Sequence, residues 1–153
     1  VSMIHFDAHA DTGDIEFGSL WGHGQPMRRL IESGAVRGDR FLQIGLRGYW
    51  PPPETLDWMA AQNMRSYEMT EIVQRGLRDC LTEAFTIATD DCDGVFLSVD
   101  IDVCDPGHAP GTGTPEPASA VITRYSRSTA CAEGRSLPGG LRRSTYWARG
   151  VER

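Results

Sequence analysis

A chain of 153 residues that is 40% hydrophobic and carries a formal net charge of -6 can bury one core, and it is too acidic to present a nucleic-acid surface. No apolar stretch reaches the roughly 18 residues of a membrane span and no charged-then-apolar leader opens the chain, so a cytoplasmic protein without membrane association is expected. Cysteines 80, 92, 104 and 131 show no paired spacing, which fits reduced thiols rather than a disulfide framework.

In chain order, residues 2 to 6 read as a strand, 25 to 33 as a helix stopped by Gly34, and 40 to 45 as a second strand. Pro51-Pro52-Pro53 introduces a helix over 54 to 62, since proline suits a first helical turn, and Met64 to Tyr67 forms a short strand. From Thr70 to Thr89, apolar residues at 73, 77, 81, 84, 85 and 88 repeat at helical spacing, with Thr70 as N-cap. That helix leads into a strand over 94 to 99, whose apolar run has the pattern of a buried parallel strand. Strands alternating with helices predict an α/β fold.

Two runs carry the chemistry. Asp7-Ala8-His9-Ala10-Asp11 follows the first strand, and Ser98-Val99-Asp100-Ile101-Asp102 closes the last. In extended chain, residues i and i+2 turn the same way, so these carboxylates converge if the two strands lie side by side. Two carboxylates about 4 Å apart repel by about 4 kcal/mol at an effective dielectric near 20, and four at one sheet edge require a cation. A lone Asp-x-Asp is more often a solvated turn. Two such runs, one with His9 between its acids, favour metal. Hard oxygen donors with one imidazole suit manganese ahead of iron, cobalt or zinc, and the anionic charge suits two dications about 3.5–4 Å apart. His5 is read as out of phase with Asp7, beyond the cluster, and structural.

The pattern Asp-Ala-His-x-Asp, then Ser-x-Asp-x-Asp-x-x-Asp-Pro, then Ala109-Pro110-Gly111-Thr112-Gly113-Thr114-Pro115-Glu116-Pro117 resembles the ureohydrolases, that is arginase, agmatinase, guanidinobutyrase and their relatives. The resemblance takes in residues 2 to 117, including Trp21-Gly22-His23-Gly24-Gln25-Pro26 and Gln43-Ile44-Gly45-Leu46-Arg47-Gly48. It implies a three-layer α/β/α fold with a mostly parallel sheet, present here in part over residues 1 to 117, with 118 to 153 an atypical tail. It also implies that Asp7, Asp11 and Asp100 bridge or coordinate two manganese ions, and that His9 and Asp102 bind the second. His23 would shuttle protons, Asp11 would pass a proton to the leaving amine, and Thr114 would lie near the substrate. The reaction so implied is hydroxide attack on a small cationic guanidino compound, giving urea and an amine, in a protein that forms homo-oligomers.

The acidic loop at Asp14 and Glu16 and the Tyr49-Trp50-Pro51 segment resemble agmatinases and guanidino-acid hydrolases more than arginases, so agmatine or a guanidino acid is the expected substrate class. Trp21, Tyr49 and Trp50 are candidates for the wall of a pocket or for plain loop packing. Two pieces of the family pattern, a histidine ligand in Gly-Gly-Asp-His and a guanidinium-binding glutamate in Glu-Val-x-Pro, are not among these residues. Glu116 stands at a different family position and is not given that glutamate's role. A second reading follows, in which the chain is a truncated metal-binding piece, holding one ion rather than two and without turnover.

Overall fold

In the computed structural model, residues 1–49 and 51–117 are described; Trp50 and the tail read as atypical lie outside the described residues. Four strands form one sheet, β1 (Ser2–Phe6), β2 (Phe41–Leu46), β3 (Arg65–Glu68) and β4 (Val95–Val99), in the order β3-β2-β1-β4. All neighbours are parallel. The helices are α1 (Pro26–Glu32), α2 (Pro53–Ala61), α3 (Met69–Arg75) and α4 (Leu77–Thr89).

Alternation along the central strands decides the layers. Ile4, Leu42 and Ile44 point to one face and pack with Tyr67 against Ile72 of α3 and Leu77, Cys80, Leu81 and Ala84 of α4. Met3 and Phe41 point to the other, against Ile31 of α1, with Trp58 of α2 alongside. This is the three-layer α/β/α arrangement. Each such fully buried side chain contributes roughly 1.5–3 kcal/mol relative to exposure. Among the described residues no helix is long and apolar enough to cross a membrane.

Two expectations are corrected. The single helix over Thr70 to Thr89 is two, because Gly76 takes φ 90 and ψ 138, outside the helical region, and interrupts the hydrogen-bond ladder. Thr70 therefore lies inside α3, and the residue before that helix is Glu68, so Thr70 is not an N-cap. The apolar strand before Asp100 is not buried. Among the described residues β4 lies at the edge of the sheet, paired with β1 alone, with Phe96 38%, Leu97 43% and Val99 58% exposed.

Candidate metal centre

Strand order turns at β1: the chain runs outward through β2 and β3, then returns to place β4 on the other side. The carboxyl ends of β1 and β4 thus flank a topological switch point, where the backbone connections diverge and leave a crevice. Phe6 pairs with Val99, so the next residues, Asp7 and Asp100, emerge level with each other. The Asp100 amide donates to the Phe6 carbonyl at 2.8 Å and locks that alignment.

From this edge the loops fold inward. Asp102 is buried: its Oδ1 accepts the Ala8 amide at 3.1 Å, and its Oδ2 lies 3.0 Å from His9 Nδ1 and accepts the Thr114 hydroxyl at 3.0 Å. Asp7, also buried, accepts the His9 amide at 2.7 Å on Oδ1, and its Oδ2 meets His5 Nε2 at 3.0 Å. Asp11 sits at φ 54, a left-handed conformation that aspartate tolerates better than most residues, and its carbonyl accepts from the first free amides of α1 at Met27 and Arg28. Its side chain joins His5 and Asp7. Two groups of potential ligand atoms result, His5–Asp7–Asp11 and Asp7–His9–Asp102, each within 4.8 Å and sharing Asp7.

The charges show strain that a cation would relieve. Burial pushes the Asp11 carboxyl up to about 7, with the Asp7 charge adding to it. Burial opposes ionisation of Asp7 as well, but hydrogen bonds from His5 and His9 outweigh it and hold that carboxyl well below the usual range. The Asp102 carboxylate, and then Asp7, push His9 up to about 10. Partial desolvation, with Asp102 and Asp7 close by, raises Asp100. Clustered acids held ionised or protonated only by their neighbours form a donor set that fits hard or borderline dications.

Of the residues picked out in the sequence, Asp7, His9, Asp11 and Asp102 are gathered here. Asp100 is level with them but exposed, and engages the centre through its Oδ1, which accepts the Asp102 amide at 3.0 Å. Thr114 reaches it through Asp102. His23 is exposed in the loop before α1; that loop is drawn toward Asp11 because Gly24 accepts the Gly13 amide at 2.8 Å. Among the described residues no hydrogen bond or ion pair ties His23 to the carboxylates. Trp21 and Tyr49 are exposed. Asp14 is engaged by Arg29 at 2.7 Å and Arg28 at 3.4 Å, so its charge is largely answered within the protein.

The phase read for His5 is corrected: it stands two residues before Asp7, which is in phase, and its buried ring meets Asp7 Oδ2 at 3.0 Å, among atoms that could share an ion. Two further residues were present in the sequence without a role. Gln43, a polar residue in an apolar strand, donates to the Ala10 carbonyl at 2.7 Å and accepts from Ser66, which holds the loop between His9 and Asp11. Arg47 donates to the carbonyls of Asp102 at 2.7 Å, Glu116 at 2.9 Å, Gly45 at 3.1 Å, and Val103 and Cys104 at 3.3 Å, so one guanidinium ties the end of β2 to two stretches of the segment after β4.

The sequence profile of the Arginase family matches residues 1–126. The chain belongs to the arginase family. Its arginase-family relatives include guanidinopropionase of Pseudomonas aeruginosa, 41% identical over 117 residues that cover 76% of this chain and 36% of that protein. Mitochondrial agmatinase of Gallus gallus is 40% identical over 119 residues, covering 76% of this chain and 34% of that one. Among solved structures, proclavaminate amidino hydrolase from Streptomyces clavuligerus is 33% identical with a TM-score of 0.68, over 78% of this chain and 38% of its own. Formimidoylglutamase from Bacillus subtilis is 28% identical with a TM-score of 0.74, over 84% and 40%. The α/β/α layers are therefore the arginase fold, in part: the chain spans 34–36% of the length of these two sequence relatives.

Proposed function

We propose that the centre is that of a ureohydrolase, cleaving a C–N bond of a small cationic guanidino compound, agmatine or a guanidino acid, to give urea and an amine. What carries the reading is the convergence of Asp7, His9, Asp11 and Asp102 at the switch point of an arginase-family sheet. Relatives named guanidinopropionase, guanidinobutyrase and agmatinase support the guanidino class.

Asp7, His9, Asp11, Asp100 and Asp102 would hold a pair of divalent ions, manganese by donor preference. When bound, such ions acidify water into a nucleophile near neutral pH, which an unreactive, resonance-stabilised guanidinium requires. The chain's own residues do the rest. Asp11 accepts a proton on a carboxylate oxygen and returns it to the departing amine. His23, exposed beside this loop, exchanges protons with solvent. The exposed Thr114 donates its hydroxyl to Asp102 at 3.0 Å and would lie near the substrate. Homo-oligomer formation and a cytoplasmic setting belong to the same reading.

The test is urea release from agmatine, 4-guanidinobutyrate and arginine by manganese-loaded chain. Turnover of the first two above arginine is the expected result. Manganese uptake by folded protein with no urea from any of them would reject the hydrolase and leave the metal-binding reading.

A further inference from the structure

We propose that Glu116 is the positioning residue for His9: its carboxylate is the hydrogen-bond acceptor for Nε2–H, which keeps the proton there and so presents Nδ1 to the cation. This rests on the metal-binding part of the reading above. The two ring nitrogens of His9 face different surroundings. Nδ1 lies 3.0 Å from Asp102 Oδ2 and 3.6 Å from Asp7 Oδ1, among the atoms that could share an ion. Nε2 lies on the other side of the ring, 3.7 Å from Glu116 Oε1. If the ion takes Nδ1, the proton must reside on Nε2, and a ligating imidazole with its second N–H left unpaired turns freely about its bonds and is a weaker base. Glu116 closes that gap by approaching less than about 1 Å, to ordinary hydrogen-bond length.

Three independent restraints bring Glu116 there. Arg47 donates twice to its backbone carbonyl, at 2.9 and 3.3 Å, with the same guanidinium that holds the carbonyl of Asp102. Pro115 and Pro117 flank it, which fixes φ on both sides. Its carboxylate lies over Gly48, where a Cβ would stand 2.8–2.9 Å from all three carboxylate atoms. Gly48, at φ +81, thus leaves the room that the acid occupies. The side chain is only 17% exposed, although a carboxylate in a loop has every reason to turn to water.

The experiment titrates manganese into the full chain by calorimetry and records the visible spectrum of the cobalt-loaded form. The variants are Glu116→Met, which keeps length without an acceptor, and Glu116→Gln, which keeps an acceptor oxygen. Glu116→Met should bind manganese about 10- to 100-fold more weakly with a displaced cobalt spectrum, and Glu116→Gln should restore most of both. Should Glu116→Met fail to fold, Gly48→Ala, which displaces the carboxylate, should give the same loss. Uptake by the unsubstituted chain with affinity and spectrum unchanged in Glu116→Met overturns this proposal alone. No uptake by the unsubstituted chain overturns the metal centre and this proposal with it.

Discussion

At the scale of single residues, the centre depends on groups that bond backbone as much as on those that would bond metal. Arg47, half-buried, answers carbonyls from five residues. Arg47→Met leaves those acceptors unsatisfied, each at a cost of about 1–3 kcal/mol where burial is complete. A loss of about 3 kcal/mol or more in urea denaturation is expected, with Arg47→Lys recovering only part, because one ammonium cannot reproduce the planar fork. His5 makes the opposite point about legibility. Its two-residue spacing puts it in phase with Asp7, contrary to the reading of the sequence, and only the structure shows that its Nε2 meets Asp7 at 3.0 Å inside the sheet.

At the scale of elements, the sequence reading located the four strands and helices α1 to α4 of the described residues, missed one interruption and did not anticipate the short 3-10 turns Gly38–Arg40 and Ile101–Val103. The apolar spacing from 73 to 88 continues through Gly76, and side-chain pattern is blind to a backbone turned to φ 90. An added Cβ at Gly76 would meet nothing within 4 Å, so Gly76→Ala tests conformation alone. It should destabilise the chain by about 1–3 kcal/mol, read from its denaturation midpoint. The same junction carries a charge cluster in which Arg65 bonds Glu71 and Glu83, and Arg75 bonds both acids too. The hydrogen bond from Arg65 is the main reason the Glu71 carboxyl lies below its usual range. A carboxyl depressed on folding adds stability above its unfolded value near 4.3 and loses it as pH falls through the folded value. Stability measured from about pH 6 down to about pH 3 should therefore decline less steeply in Glu71→Gln. Partial exposure keeps this effect small.

At the scale of the whole molecule, repulsion among the gathered acids works against folding, and a cation bound only by the folded chain reverses it. Manganese at about 100 times its dissociation constant should stabilise the chain by about 2.7 kcal/mol. The matching observation is a rise in melting temperature that chelator abolishes. An unchanged melting curve across millimolar manganese would contradict it.

The local arguments in the sequence, a period of two or of 3.6, proline before α2 and acids two apart at strand ends, are one-dimensional, and they sufficed for the α/β class and for the acids that cluster. Long-range order is a different quantity. That β4 returns to pair with β1, and so brings Asp102 to His9 across 93 residues, follows from strand order alone. The edge position of β4 likewise depends on what pairs with it, so an apolar run reads the same whether covered or exposed. Arg47 and Glu116 show the limit most plainly: 69 residues apart, each looks like an ordinary loop charge, and only packing turns one into a clamp and the other into a neighbour of His9.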